Sequence, residues 1–125
     1  MNQLEKRQEI KIISENIGEL INQILILKAK KIYKKRKIIS LYFDTHDLEN
    51  YFVGNEGMVP RDKIRVRMYD SFSNDKACRL ETKKTFAHHR EKNIINLNKF
   101  DVLEIEKKIF NTRKKHYIPT LFVEY

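Results

Sequence analysis

The chain has 125 residues, enough for one small domain with a single modest core. Its hydrophobic content of 41% and aromatic content of 10% exclude a disordered tail, and 26 Lys and Arg against 17 Asp and Glu leave a net charge of +9. Such a net charge favours polyanionic partners, namely nucleic acid, polyphosphate, nucleotides or an anionic membrane surface. The alternative is that the same charge only keeps the protein soluble, and the placement of the charges has to decide between the two.

The single cysteine, Cys78, excludes an internal disulfide and a multi-cysteine zinc site. Its place at the start of an alternating apolar run predicts a partly buried, inert thiol. No apolar run approaches the roughly 20 residues that span a bilayer, and the N-terminus lacks the apolar region of a signal peptide. We therefore expect a cytoplasmic protein.

The N-terminal part of the chain predicts a strand and then a helix. Residues 7–13 alternate, with Glu9 and Lys11 on a charged face and Ile10 and Ile12 on an apolar one. Ser14 is a suitable N-cap for a helix over residues 14–30, whose wide apolar stripe predicts packing on a sheet. The basic run at 28–37 is interpreted as a solvated helix end, with nucleic-acid contact as the alternative.

Five more strands complete a predicted set of six. The sequence predicts strands over 37–45, 61–70, 77–85 and 90–97 and from Pro119 onward, with one helical turn at 46–51 and a loop at Gly54 to Gly57. Asp101 is predicted to cap a helix over 102–112. The adjacent His88 and His89 are expected to be exposed to solvent.

The strand at 61–70 carries the strongest functional pattern. Its basic residues alternate with Ile64, Val66 and Met68, so one face is a row of cations and the other must be buried. Three of the predicted strands share this division into a charged and an apolar face. If the sheet curls, Lys11, Lys83 and Lys92 join the row, and because like charges this close repel, a chain of phosphates would relieve the cost.

The order of these motifs resembles the VTC domain, the polyphosphate polymerase domain of the vacuolar transporter chaperone family, within the triphosphate tunnel group. The resemblance lies in RQEIK at 7–11, SLYFDT at 40–45, RDKIRVRMY at 61–69, LETK at 80–83 and IPTLFVEY at 118–125. It implies an antiparallel barrel with basic walls that transfers the terminal phosphate of ATP to polyphosphate with the help of Mn²⁺ or Mg²⁺.

Residue roles follow from the same resemblance. The resemblance implies four catalytic residues that bind phosphate: Lys11, Arg65, Arg67 and Lys83. It implies three further phosphate-binding positions: Lys63, Arg90 and Lys92. Glu9 and Glu81 match acidic motif positions and are the implied metal ligands. Phosphoryl transfer needs mostly positioning and charge neutralisation from such groups.

The predicted strands are too few for a closed tunnel, which needs roughly eight. We therefore expect an α+β fold over 1–125: a curved antiparallel β-sheet, an incomplete triphosphate-tunnel barrel, with helices packed outside. By the resemblance, this fold would correspond to the N-terminal half of the family domain. The exposed strand edge expected at 123–125 would pair with itself or with a partner chain.

The expected function is binding of ATP or polyphosphate, with phosphoryl transfer if a second half completes the tunnel. The alternatives are a non-catalytic polyanion or nucleic-acid-binding module, and a triphosphate hydrolase of the tunnel group. Aromatic residues do not interleave with the basic row as stacking platforms would, which argues against nucleic acid.

Overall fold

The computed structural model describes residues 8–125, which fall into two units, 8–34 and 35–125. The first unit holds helix α1 (Ile17–Ile26). The second holds strands β1 (Ile38–Asp44), β2 (Arg61–Tyr69), β3 (Cys78–Thr85), β4 (Arg90–Leu97) and β5 (Ile118–Glu124), together with helices α2 (Glu49–Asn55) and α3 (Val102–Arg113). The elements confirm an α+β fold.

The five strands form one antiparallel sheet in the order β4-β3-β2-β1-β5. The sheet is open, and β4 and β5 are its two edges. The chain reaches β5 from β4 by way of α3, which has 12 residues and is thus about 18 Å long. That length is close to the roughly 19 Å between the outer strands of five, so the helix can carry the chain from one edge to the other.

The core lies on one face of the sheet. Ile64, Val66 and Met68 of β2 are buried there, and α3 adds Ile105 and Ile109. Cys78 belongs to the same core, and burial raises the pKa of its thiol, in agreement with the predicted inert role. The alternation of apolar and basic residues along β2 therefore separates the residues that face the core from those on the open face of the sheet.

Helix α2 is attached to the end of β1 by a buried carboxylate. One oxygen of Asp44 accepts hydrogen bonds from the backbone N–H groups of Thr45 and Asn50, at 2.7 and 3.0 Å, and the other accepts one from Tyr51 at 3.0 Å. The sequence predicted a turn at 46–51, but the helix begins three residues later because Leu48 adopts a left-handed conformation (φ 57°) just before it. The capped helix forms a wall beside the open face.

The predicted first strand is wrong where the structure describes it. Residues 8–13 have no regular secondary structure, and Arg7 lies outside the described residues. An alternating pattern makes a strand only when a neighbour pairs with its backbone groups, and these residues pair with none of the described strands. The described sheet therefore has five strands rather than six.

The predicted helix over 14–30 is shorter than expected. Asn16, not Ser14, is the N-cap, because its side chain accepts a hydrogen bond from the backbone N–H of Glu19 at 3.1 Å. Lys28 has a positive φ of 66°, which does not continue a helix. The expected core role of the helix is also wrong, since no residue of α1 is buried.

Candidate functional site: a cationic sheet face

The face of the sheet opposite the core carries the basic residues of β2, β3 and β4. In an antiparallel pair, residues directly opposite each other point to the same side. The register therefore places a large cationic set on one surface, here called the cationic face. Its members are Arg61, Lys63, Arg65, Arg67, Arg79, Lys83, Arg90 and Lys92.

Three lysines form a row across this face. Lys63 of β2 lies opposite Lys83 of β3, which lies opposite Lys92 of β4. Like charges directly opposite each other in a sheet are destabilising, and this lysine row has no carboxylate within it. The sheet thus concentrates positive charge where strand pairing alone would disfavour it.

The neighbouring row, on the other face of the sheet, has the usual arrangement of opposite charges on paired strands. There Asp62 lies opposite Lys84, which lies opposite Glu91, so the signs alternate. Both rows use the same three strands at neighbouring positions. The uniform charge of the lysine row is therefore a property of the cationic face and not of these strands in general.

The pKa of Lys83 is lowered by its surroundings on the cationic face. Burial lowers the pKa of its ammonium, and the positive charges of Arg90, Lys63, Lys92 and Arg65 lower it further. Such a shift is expected when a cation is surrounded by other cations, because losing the proton relieves the repulsion. An anion bound among these groups would reverse the effect.

Glu81 is the buried acid of the cationic face, with 5% of its surface exposed. Its Oε2 accepts a hydrogen bond from Arg65 Nε at 2.8 Å and lies 4.0 Å from Arg67 Nη1. Tyr42 adds a second support, since its hydroxyl accepts a hydrogen bond from Arg65 Nη1 at 3.3 Å. A guanidinium has five N–H donors, so Arg65 is oriented by two partners and keeps others for a ligand.

Two buried polar atoms beside Arg65 lack a hydrogen-bond partner among the described residues. They are the Nε of Arg67 and the Oγ of Ser40, which lies directly opposite Arg67 in the register. Unsatisfied buried polar groups are costly and uncommon. Oxygen atoms of a bound anion would satisfy the guanidinium at this end of the face.

A concavity of about 460 Å³ lies at the other end of the face. Its floor includes Lys63, Lys83 and Arg90 of the strands, and its wall includes Asn50 and Tyr51 of α2. Asp44 holds that wall in place through the hydrogen bonds described above. The volume falls in the range typical of small-ligand sites.

The structure brings together six of the seven predicted basic site residues. Lys63, Arg65, Arg67, Lys83, Arg90 and Lys92 share the cationic face, as expected. Lys11 and Glu9 lie in the other unit, where both side chains are largely exposed and form an ion pair of 3.6 Å. Their implied roles remain predictions.

Sequence reasoning missed several residues of the site. Ser40 and Tyr42 lie opposite Arg67 and Arg65 in the register. Alternation along β1 puts both on the same side as Asp44, and this signal could have assigned them to the site. Asn50 and Tyr51 had no signal of their own, because only the folded chain brings α2 beside β2 and β3.

The described residues do not by themselves form a metal site. No group of three or more His, Cys, Asp or Glu side chains that could hold an ion occurs among residues 8–125. Glu81, one of the two implied ligands, already uses an oxygen to bind Arg65 and Arg67. Its surroundings suit a counter-ion for guanidinium groups better than a ligand for Mg²⁺ or Mn²⁺.

No helix within the described part of the chain has the length and apolar character needed to cross a membrane.

Comparison with known proteins found no matching curated protein and no matching solved structure. The family model of the VTC domain, however, matches residues 4–119, nearly the whole chain. This match supports a polyphosphate-related role, and the chain belongs to the VTC domain family.

Proposed function

We propose that the cationic face binds a chain of phosphates, either polyphosphate or the triphosphate of ATP. The observation that carries this proposal is the lysine row of Lys63, Lys83 and Lys92, which contains no carboxylate, while the adjacent row alternates in sign. Repeating negative charges along a phosphate chain match repeating positive charges across neighbouring strands. Family membership supports the same ligand class.

The two kinds of cation have different tasks in this proposal. The lysines are exposed point charges that follow a flexible phosphate chain and neutralise it. The guanidinium of Arg65 donates hydrogen bonds to Glu81 and Tyr42 and is therefore already oriented. It loses little conformational entropy when it binds phosphate oxygens. Arg67 would contribute its unsatisfied Nε.

Phosphoryl transfer from ATP to polyphosphate is the finer proposal, and it requires more than this face. A transferring phosphate must be held from several sides while water is excluded, and the described sheet is open with two free edges. Additional strands from a further segment or a partner chain would supply the opposite wall. A divalent metal ion would neutralise charge on the phosphates, and its ligands would have to come largely from that wall.

The direct test is a binding titration with labelled polyphosphate. Replacing Lys63, Lys83 and Lys92 together by alanine should weaken binding by about 100-fold, because three charge-assisted contacts are lost. A matched control replaces Lys99, Lys107 and Lys108, three exposed lysines outside the cationic face, and makes the same change in net charge. Equal losses in both variants would show that only total charge matters and would contradict the proposal.

Two further arms address the alternatives. Single-stranded nucleic acid of matched charge is added as a competitor, and displacement of polyphosphate without preference would favour a nucleic-acid-binding module. Incubation with ATP and Mn²⁺ then separates chain growth, expected of a polymerase, from release of free phosphate, expected of a triphosphate hydrolase. Binding without either product is the expected result for the open sheet alone.

A further inference from the structure

The first unit presents an unusual amount of apolar surface to solvent. Ile17, Leu25 and Ile26 of α1 are 66%, 51% and 78% exposed, and Leu27, which follows the helix, is 81% exposed. No residue of α1 is buried. Several exposed apolar side chains on one short segment indicate an interaction surface.

A cluster of positive charge directly follows this apolar helix. Lys28, Lys30, Lys31 and Lys34 are all exposed, and Ile32 between them is 83% exposed. No Asp or Glu occurs between Glu19 and the end of the first unit. Apolar and cationic side chains are thus presented together over residues 17–34, here called the N-terminal patch.

We propose that the N-terminal patch binds the surface of an anionic lipid bilayer. Apolar side chains of α1 would enter the boundary between headgroups and acyl chains, while the lysines contact the anionic headgroups. Lysine suits this position because its aliphatic stem lies along apolar material while its ammonium stays in water. Helix α1 is about 15 Å long, so it lies on the surface and does not cross it.

Charge and apolar exposure together favour a bilayer over nucleic acid. A nucleic acid would engage the lysines but would leave Ile17, Leu25 and Ile26 in water. A neutral apolar partner would leave four lysines without compensation. The surface of an anionic bilayer matches both features. The N-terminal patch belongs to the first unit and the cationic face to the second, and the proposal does not rest on phosphate binding at the cationic face.

Vesicle co-sedimentation of the full chain tests the proposal. Vesicles of phosphatidylcholine are compared with vesicles that also contain phosphatidylglycerol, and binding is expected only to the anionic kind. Because the cationic face also attracts anionic lipid, the decisive variant leaves the charge unchanged. Ile21 of α1 is 43% exposed, and Ile21→Ser with Leu25→Ser should weaken binding by about ten-fold. Vesicle binding equal to that of the unchanged chain would overturn the proposal.

Lysine variants complete the experiment. Lys28→Gln, Lys30→Gln and Lys31→Gln together should also weaken vesicle binding by about ten-fold, while the same change at Lys99, Lys107 and Lys108 should leave it within about two-fold. Absence of binding to anionic vesicles, or equal losses in the two lysine variants, would refute the assignment.

Two other ligands, a single-stranded oligonucleotide and polyphosphate, distinguish bilayer binding from nucleic-acid binding and from a general loss of the fold. If the variant at Lys28, Lys30 and Lys31 loses affinity for a single-stranded oligonucleotide but not for vesicles, the patch is a nucleic-acid site and the proposal is wrong. Polyphosphate affinity should be unchanged in the double serine variant. A parallel loss there would mean that the substitutions act through the fold, which would also overturn the assignment.

Discussion

Glu81 shows how one side chain organises the cationic face. It is buried between Arg65 and Arg67, and it faces no other carboxylate in its row, which continues to Tyr42 on one side and Ile94 on the other. Its role follows from position: it holds the guanidiniums in place and reduces the repulsion that the lysine row adds. The contacts describe an internal counter-ion, and the metal-ligand role that the motif position implies stays a prediction.

Glu81→Gln should therefore destabilise the fold. The substitution leaves two half-buried guanidiniums without their charged partner, and we expect the free energy of unfolding to fall by about 2–3 kcal/mol. Urea denaturation monitored by circular dichroism measures this change. Glu104→Gln, at an exposed position of α3, is the matched control and should change the stability little. Equal midpoints for the two variants would contradict the assigned role.

Lys83 should make both stability and binding depend on pH. Its pKa is lowered in the folded chain, by burial first and then by the nearby cations, so the fold carries the cost of its charge below that pKa. The cost disappears as the pH rises through the lowered pKa toward the ordinary value, and stability should increase in that window. Bound phosphate favours the charged form, so affinity for tripolyphosphate should decrease over the same window.

Side-chain NMR of Lys83 measures the effect directly. Its pKa should be lower in the folded chain than in the urea-unfolded chain, and it should rise when tripolyphosphate is added. Arg90→Gln removes a nearby charge and should raise the pKa of Lys83 in the free protein. A Lys83 resonance that titrates identically in folded and unfolded chains would show that the cations do not converge.

At the scale of elements, α3 and β2 define which side of the sheet is open. Ile105 and Ile109 lie four residues apart on one side of α3, and both are buried in the core with Ile64 and Val66. Since α3 covers the apolar face, the alternate residues of β2 remain available on the other face. Packing of this helix is thus a condition for the cationic face as well as for stability.

Ile105→Ala should test that packing. The side chain is fully buried, so its truncation leaves a cavity and should lower the free energy of unfolding by about 3–4 kcal/mol. Leu103→Ala lies on the same helix at a position that is 66% exposed and should cost less than about 1 kcal/mol. Thermal or urea unfolding compares the two, and similar losses would mean that α3 is not packed as described.

At the scale of the whole molecule, the sheet has an edge that can pair. Strand β5 bonds to β1 on one side only, and its Leu121 and Phe122 are 56% and 51% exposed. Unpaired backbone groups beside exposed apolar side chains promote association between chains. The predicted edge near the end of the sequence is therefore confirmed among the described strands, whereas its partner remains a proposal.

Leu121→Lys should reduce self-association. We expect the unchanged chain to form concentration-dependent oligomers and the variant to stay largely monomeric, because a lysine on an edge strand disfavours strand pairing. Size-exclusion chromatography with light scattering over a range of concentrations provides the measurement. Leu103→Lys, at an exposed position of α3, makes the same change away from the edge. If it reduces association equally, the edge is not the contact surface.

The polar and apolar faces of β1, β2 and β3 could be read from the sequence alone. Alternation is a local property of a strand, so β2, β3 and β4 were predicted within a residue or two, and Arg65, Arg67 and Lys83 were assigned correctly to charged faces. The same alternation failed at residues 8–13, because a strand also needs a neighbour, and a neighbour is not encoded locally.

The tertiary structure alone decided which charges meet. Register aligned Lys63, Lys83 and Lys92 in one row and put Glu81 between two arginines, and α2 brought Asn50 and Tyr51 to the same face. These contacts join residues from different strands and helices. Their energies depend on distances that exist only after the chain has folded. The alternation of charges along each strand could therefore be read from the sequence, whereas the specific pairs of charges that meet could not.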